Sequence, residues 1–242
     1  MPKKPEKIFP KRSNSFNEID IKPSDLSTNE LIGNQSYGGR IFKRMGDIIF
    51  SSSVIIFGMP IFIILAVIVR ISSPGPIFYI QERVGRNYKS FGCIKFRTMY
   101  QDADIKLEKI LAESLQMREE FESDYKLRKD PRITPIGRVL RRSSLDELPQ
   151  FLNVLKGEMS VVGPRPIVID ELDRYGFSMD EVISVRPGLT GLWQVSGRNN
   201  LSYRKRVEID TYYARNRNLL LDLEIILLTF GVLFFPMDRG AY

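Results

Sequence analysis

The longest uncharged stretch of the chain limits its architecture more than any other feature. Residues 48–69 form a run of 22 residues without a charged side chain. As an α-helix this run extends about 33 Å, and the hydrocarbon core of a bilayer is about 30 Å thick. Its residues are apolar on every side, whereas a helix on the surface of a soluble domain needs a polar face. The run therefore predicts a helix that enters a membrane.

The interior and the flanks of this run argue against a simple crossing. Pro60 lies near its middle, directly after Gly58 and Met59, and proline kinks a helix. Basic residues stand on both sides, although the positive-inside rule expects them at the cytoplasmic end only. We therefore favour a kinked re-entrant helix over residues 40–74, which enters at Gly46 and returns after Pro60. A spanning helix and a buried helix of a soluble core stay open as alternatives.

Composition excludes several kinds of catalytic site. The 242 residues include no histidine and a single cysteine, Cys93. These counts exclude a Ser-His-Asp triad, a histidine or cysteine-rich zinc site and an internal disulfide. Catalysis must then use carboxylates, lysine, tyrosine, hydroxyl groups or a metal held by oxygen. Oxygen ligands favour Mg²⁺, with Mn²⁺ as the alternative.

Arginine is concentrated in the second half of the chain. The net charge is +7, and residues 131–217 hold 12 arginines but only 2 lysines. Guanidinium groups bind phosphate oxygens in pairs, which lysine cannot do. Arg165, Arg186 and Arg198 lie in turns rich in proline and glycine, whereas a helix that reads nucleic acid would carry them along one side. We expect a phosphate-binding pocket and no nucleic acid.

Two adjacent carboxylates follow part of this arginine-rich region. Residues 141–150 read RRSSLDELPQ, so that Asp146 and Glu147 stand just before Pro149. Proline is tolerated only in the first turn of a helix, which predicts a helix start close to the two carboxylates. Ser144 and Glu147 also fit a capping box, in which both side chains satisfy backbone donors. From the residues alone, a catalytic pair and a helix cap are both open.

The remaining pattern predicts a helix-dominated α+β fold. Residues 77–80 and 91–96 are β-prone, residues 101–126 and 199–217 have helical patterns, and the uncharged residues 225–237 are too short to cross a bilayer. We divide the chain into a disordered basic tail (1–39), the re-entrant membrane helix (40–74), a small cytoplasmic catalytic domain (75–218) and a C-terminal interfacial helix with its tail (219–242).

Short motifs in a fixed order carry a resemblance to a known family. They are SPGP (73–76), QERVG (81–85), KFRTM (95–99), DPRIT (130–134), GR (137–138), SLDELPQ (144–150), GPRP (163–166), RPGLTG (186–191), QVSGR (194–198) and a terminal GAY (240–242). This set resembles the bacterial sugar transferases, monotopic polyprenyl-phosphate phosphoglycosyl transferases, over about residues 40–242. The chain departs from the family in two places. Larger members carry further membrane helices first, and Met59 stands where smaller members often have serine before the proline.

The resemblance implies a reaction and a site. A monotopic enzyme on the cytoplasmic face of the bacterial inner membrane would move a sugar-1-phosphate from a nucleotide diphosphate sugar, such as a UDP-hexose, to undecaprenyl phosphate. The product would enter exopolysaccharide or lipopolysaccharide synthesis. Asp146 would be the nucleophile and a ligand of Mg²⁺, and Glu147 would hold the metal or orient Asp146. Phosphates would bind Lys95, Arg141 and Arg165, and the nucleotide sugar would bind Arg186, Thr190, Gln194 and Arg198.

Two matters stay open at the level of sequence. A homodimer is neither favoured nor excluded. The alternative to an enzyme is a non-catalytic adaptor at the membrane surface, which would bind anionic lipid or a partner in polysaccharide assembly through its basic residues.

Overall fold

The uncharged run lies within one long helix, α1 (Tyr37–Ser72), with Pro60 inside it. In the computed structural model of the chain, residues 37–124, 127, 129–197 and 201–234 are described. Most of the predicted tail, residues 1–36, and the predicted substrate ligand Arg198 lie outside them. Within the described part, α1 is the one helix long and apolar enough to cross a membrane, and little of it is buried. The long apolar helix that the sequence predicts is thus present, and it begins slightly earlier than expected.

Both halves of α1 pack against the same domain. Before Pro60, Arg44 donates hydrogen bonds to the carbonyl oxygens of Val154 and Leu155. After Pro60, Leu65 and Val69 are buried in a cluster with Phe96 and Leu140. Between these contacts, apolar side chains such as Phe57, which is 83% exposed, face outwards.

The two β-prone segments form strands, as their sequences predict, and the strands pair as an antiparallel hairpin. Strands β1 (Phe78–Val84) and β2 (Ser90–Phe96) pair with Ile80 opposite Ile94. Their connection, Arg86–Tyr88, is tight, and Asn87 has a positive φ of 55° that asparagine tolerates better than most residues. The hairpin is joined to the next helical layer through Asn153, whose side chain bonds both Ile94 and Gly92.

The single helix predicted over residues 101–126 is wrong, because the chain forms two. Helix α2 (Ala103–Glu113) ends at Ser114, whose φ of −130° and ψ of 109° are extended, and α3 (Leu115–Asp124) follows. The Ser114 hydroxyl accepts a hydrogen bond from the Met117 N–H at 3.3 Å, which satisfies a donor at the start of α3. A serine that caps the second helix thus separates the two helices, although the apolar stripe continues through both.

The segments that follow build the interior. In chain order they are α4 (Pro135–Ser143), α5 (Gln150–Lys156), β3 (Ser160–Val162), α6 (Leu172–Tyr175), α7 (Met179–Ile183), β4 (Gly188–Thr190) and α8 (Leu192–Ser196). Strands β3 and β4 pair in parallel, with Val162 opposite Thr190. Their backbones come so close that a Cβ on Gly188 would lie 2.1 Å from the Gly163 nitrogen.

The last two helices attach to this interior. Helix α9 (Tyr203–Asn216) buries Tyr213, which donates a hydrogen bond to Asp222 of α10 (Leu219–Phe234) at 2.7 Å. Helix α10 has a buried inner face at Ile225, while Leu220 on its outer side is 79% exposed. This two-sided helix is compatible with the interfacial position predicted for it.

Candidate active site

The two adjacent carboxylates lie in a tight turn between two helices. Helix α4 ends at Ser143, Ser144 adopts a left-handed conformation with φ of 57°, and residues Leu145–Glu147 form one turn of 3₁₀-helix. Helix α5 begins only at Gln150, immediately after Pro149. The side chain of Ser144 makes no capping hydrogen bond there, so the capping box that the sequence also fitted is not formed.

Glu147 is held by a lysine from the hairpin. Lys95, near the end of β2, donates from Nζ to Glu147 Oε1 at 2.7 Å, and Arg165 Nη2 lies 4.0 Å from the same oxygen. Burial by itself raises the pKa of Glu147, but the charges of Lys95 and Arg165 outweigh it and lower the pKa to about 2. Glu147 is therefore a permanent anion at any physiological pH.

Asp146 has the opposite environment. Its side chain is buried, and it forms no ion pair with any residue that the structure describes. Burial, followed by repulsion from Glu147, raises its pKa to about 6, although Lys95 and Arg141 act in the other direction. Two neighbouring carboxylates with pKa values this far apart are typical of a site in which each has its own role.

A cationic cleft opens beside the pair. With the open solvent at its mouth included, it has about 240 Å³ of space outside protein atoms. Glu147 belongs to its wall, and the other lining residues are Arg83, Cys93, Lys95, Gln150, Arg165, Pro166, Gly188, Leu189 and Gln194. Three cationic side chains around one anionic group give the cleft a positive balance that suits phosphate oxygens.

Several of the predicted substrate ligands meet in this region. Lys95, Arg165 and Gln194 line the cleft. Arg141 donates from Nε to the hydroxyl of Thr98 at 2.9 Å, and its charge acts on Asp146.

Two other predicted ligands point elsewhere. Arg186 donates to the carbonyl oxygen of Gly157 at 2.8 Å, beyond the far end of α5. Thr190 shares a 2.7 Å hydrogen bond with Thr229 of α10. In this structure their side chains are not among those that line the cleft.

Sequence reasoning did not assign a role to two groups near the cleft. Arg83 lines it and is oriented by bonds to the Pro166 carbonyl oxygen and to Gln81 Oε1. The sequence feature that could have identified Arg83 is the QERVG motif, to which it belongs. The second group is Trp193. The guanidinium of Arg165 lies 5.9 Å from the centre of its ring, and the guanidinium of Arg206 lies 4.9 Å from it. Nothing in the local sequence connected Trp193 with arginines so distant along the chain.

The donor set of the carboxylate pair fits a magnesium ion. Among the described residues, no group of three or more acidic, histidine or cysteine side chains could enclose a metal. Mg²⁺ in phosphate chemistry is commonly held by one or two carboxylates, with substrate phosphates and water as its other ligands. Asp146, which pairs with no cation in the described part of the chain, and Glu147 supply that kind of incomplete oxygen set.

The family follows from comparison of the whole chain. Residues 38–236 match the profile of the bacterial sugar transferases. The chain belongs to the bacterial sugar transferase family. The matched region runs from α1 through α10 and includes the carboxylate pair and every lining residue of the cleft.

Curated relatives of this sugar transferase agree with the assignment. An uncharacterised sugar transferase of Haemophilus influenzae is 50% identical over 84% of the chain. The exopolysaccharide production protein ExoY of Sinorhizobium fredii is 45% identical over 84% of the chain. The undecaprenyl-phosphate galactose phosphotransferase of Salmonella typhimurium is 47% identical over 84% of the chain. The matched region makes up 89% of ExoY but 42% of each of the other two proteins.

Proposed function

We propose that this sugar transferase moves a sugar-1-phosphate from a nucleotide diphosphate sugar, most simply a UDP-hexose, to undecaprenyl phosphate. The observation that carries the proposal is the contrast within the carboxylate pair. Asp146 is buried and forms no ion pair with the described residues, whereas Glu147 is held by Lys95 at the wall of a cationic cleft. The Salmonella relative is named for galactose phosphate transfer with undecaprenyl phosphate, and ExoY for exopolysaccharide production.

In the first step, a carboxylate oxygen of Asp146 attacks the phosphorus that carries the sugar. The bond from this phosphorus to the bridging oxygen breaks, and the nucleoside monophosphate leaves with that oxygen. The product is an acyl phosphate between Asp146 and the sugar-1-phosphate. With a pKa of about 6, Asp146 is mostly ionised at neutral pH and needs no separate base. Lys95, Arg83 and Arg165 offset the repulsion between the carboxylate and the diphosphate.

In the second step, an oxygen of undecaprenyl phosphate attacks the same phosphorus. The bond to Asp146 breaks, the carboxylate is regenerated, and the lipid carries a sugar diphosphate. Arg141 and Arg165 would hold the two phosphates, and Gln194 would contact the nucleotide sugar. Arg186, Thr190 and Arg198 remain candidates on the nucleotide-sugar side by resemblance alone.

A magnesium ion would be held by Asp146 and Glu147. It would neutralise charge on the diphosphate and on the leaving nucleotide. Mn²⁺, which also prefers oxygen ligands, is the alternative metal.

The contacts of α1 support a position at one face of a membrane. Residues on both sides of Pro60 contact one domain, which supports a helix that enters and leaves the bilayer on the same side. A re-entrant α1 agrees with these contacts and keeps the lipid phosphate near the cleft. We propose that the domain lies on the cytoplasmic face of the bacterial inner membrane, because nucleotide sugars are made in the cytoplasm. Cysteine labels placed before Gly46 and after Pro74 should then react from the same side, and labelling from opposite sides would contradict the re-entrant helix.

The mechanism is tested by trapping its intermediate. The full chain is incubated with Mg²⁺ and a panel of UDP-sugars carrying label in the sugar, without lipid acceptor. Label should remain on the denatured wild-type protein for the correct donor and should map to Asp146. Asp146→Asn should retain none, because the amide keeps the shape and removes the nucleophile. Asp180→Asn, at an exposed aspartate on α7, is the matched control and should retain label.

The same experiment separates the enzyme from a membrane adaptor. An adaptor predicts no adduct with any donor, and Asp146→Asn would keep its biological activity. Full turnover by Asp146→Asn would exclude the aspartyl intermediate even if the transferase activity is real.

A further inference from the structure

Trp193, the only tryptophan of the chain, contacts two arginines that come from different elements. Arg165, whose guanidinium lies 5.9 Å from the centre of the ring, lines the cationic cleft. Arg206, at 4.9 Å from the same centre, belongs to α9 and is not among the lining residues of the cleft. A guanidinium within about 6 Å of an indole ring is attracted to its electron-rich face. The ring therefore connects a residue of the cleft with an arginine behind it.

Arg165 is held by few contacts of its own. Its side chain is 32% exposed, and its Nη2 lies 4.0 Å from Glu147 Oε1, which is too long for a hydrogen bond. Within the described part of the chain, the Arg165 side chain donates no hydrogen bond. Holding a long arginine side chain in one geometry costs rotamer entropy. The Trp193 ring gives this guanidinium a flat surface that limits its orientations.

Arg206 is held from several sides. Its side chain is 11% exposed, and the ring centres of Tyr203 and Tyr175 lie 5.2 and 5.8 Å from its guanidinium carbon. Its Nη1 lies 3.6 Å from Glu171 Oε1, and its Nε lies 3.7 Å from Asp210 Oδ2. A buried cation is stable only where opposite charges compensate it. The two carboxylates and the two rings therefore fix the position of Arg206.

The carboxylate of Asp210 is itself fixed. Asp210 is 1% exposed, lies one turn after Arg206 on α9, and accepts a hydrogen bond from the Tyr175 hydroxyl at 2.9 Å. Trp193 has no comparable support from its own polar group, because its Nε1 makes no hydrogen bond within the described residues. The orientation of the indole ring thus depends on what packs against its faces, and Arg206 is the nearer of its two cationic neighbours.

We propose that Arg206 is a positioning residue of the transferase: held by Asp210, it fixes the ring of Trp193, and the ring orients Arg165 toward the diphosphate of the nucleotide sugar. The inference rests on the proposed function, in which Arg165 binds phosphate. Arg206 contacts neither the carboxylate pair nor the substrate, and it acts through Trp193. The buried residues Asp210 and Tyr175, which have no part in the two chemical steps, thereby acquire a role in the reaction.

The inference is tested by a double-mutant cycle on the binding of inorganic diphosphate, which carries no sugar, nucleobase or lipid. Calorimetry on the full chain in detergent gives the Kd. Arg206→Lys keeps the charge that faces Asp210 but loses the planar guanidinium. It should raise the Kd about tenfold in the wild-type background, and less than about twofold when Arg165→Gln is already present. An equal factor in both backgrounds would overturn the proposal, because a purely structural role does not act through Arg165.

The fluorescence of the protein provides a second measurement. Because Trp193 is the only tryptophan, the tryptophan emission reports on this ring alone. Diphosphate should change the emission of the wild type when the Arg165 guanidinium turns to the phosphate, and it should leave that of Arg165→Gln unchanged. The same change in both proteins would contradict the contact between Arg165 and the ring on which the inference depends.

Two further variants complete the test. Arg204→Gln removes a charge from a side chain that is 91% exposed on the same helix, and it should bind diphosphate as the wild type does. Asp210→Asn keeps an acceptor for Tyr175 and removes the charge behind Arg206, so it should weaken binding only in the presence of Arg165, even if Arg206→Lys does not fold. A wild type that does not bind diphosphate would overturn the inference. The labelled adduct on Asp146 is measured separately, so the proposed function and this inference can fail independently.

Discussion

Lys95 Nζ lies 2.7 Å from Glu147 Oε1 and thereby joins the end of strand β2 to the turn that carries both carboxylates. The pairing has two effects. It fixes one carboxylate as a permanent anion, and it puts a positive charge close to the other without neutralising it completely. The neighbouring Asp146 consequently retains a pKa within the range in which a cell, or an experiment, can change its ionisation.

The first prediction concerns stability. The pKa of Asp146 is raised in the folded state, so ionisation of this group destabilises the fold. The penalty is absent below about pH 4 and complete above about pH 6. A shift of this size corresponds to about 3 kcal/mol. Asp146→Asn should therefore unfold at a higher temperature than the wild type at pH 8, and the difference should vanish near pH 4. Equal midpoints at both pH values would contradict the raised pKa.

The second prediction concerns the pH dependence of the first step. Only ionised Asp146 attacks, so the rate of adduct formation should fall about tenfold per pH unit below pH 6. Glu147, with a pKa of about 2, does not titrate in this range. Single-turnover labelling at saturating nucleotide sugar measures the rate. A flat profile down to pH 4.5 would show that another group limits the reaction.

The third prediction concerns Lys95. Its positive charge lowers the pKa of both carboxylates, against the effect of burial. Lys95→Gln should therefore move the acidic limb of the rate profile above pH 6, and raising the pH should restore part of the lost rate. Lys95→Arg, which preserves the charge, should stay closer to the wild-type profile. A loss in Lys95→Gln that is the same at every pH would indicate a structural role only.

The fourth prediction concerns the support of α4. A Cβ on Gly137 would lie 2.0 Å from the Thr98 carbonyl oxygen. The same oxygen accepts a hydrogen bond from the Thr134 N–H. Gly137→Ala should destabilise the protein by several kcal/mol and reduce the yield of folded chain. Gly46→Ala is the matched control, since nothing lies within 4 Å of the added carbon. Thermal unfolding of the two variants in the same detergent provides the comparison.

Much of the architecture could be predicted from local patterns. The long helix around Pro60 followed from an uncharged run, and strands β1 and β2 followed from two β-prone segments. Asp146 and Glu147 were identified because composition had removed histidine and cysteine chemistry. In each case the prediction depends on a continuous stretch of sequence that few other structures or chemistries could explain.

Other features depended on contacts between distant residues. The apolar stripe of residues 101–126 continues past Ser114, and only the backbone at that serine reveals two helices. The residues from Ser144 to Glu147 fit a capping box, but Ser144 has a left-handed backbone and makes no capping bond, and Glu147 pairs with Lys95. Arg186 stands in a motif that resembles a substrate loop, but its hydrogen bond to Gly157 depends on how β4 approaches α5. Periodicity and spacing do not contain such information.

The packing of α1 also bears on how the protein can be handled. Leu65 and Val69 fill the interior beside Phe96, and Arg44 binds the final carbonyl groups of α5. A shortened chain that starts after Ser72 would expose this interior and leave those carbonyls without their donor. Such a fragment should aggregate rather than yield a water-soluble enzyme. Purification should therefore keep α1 in the chain and use a detergent.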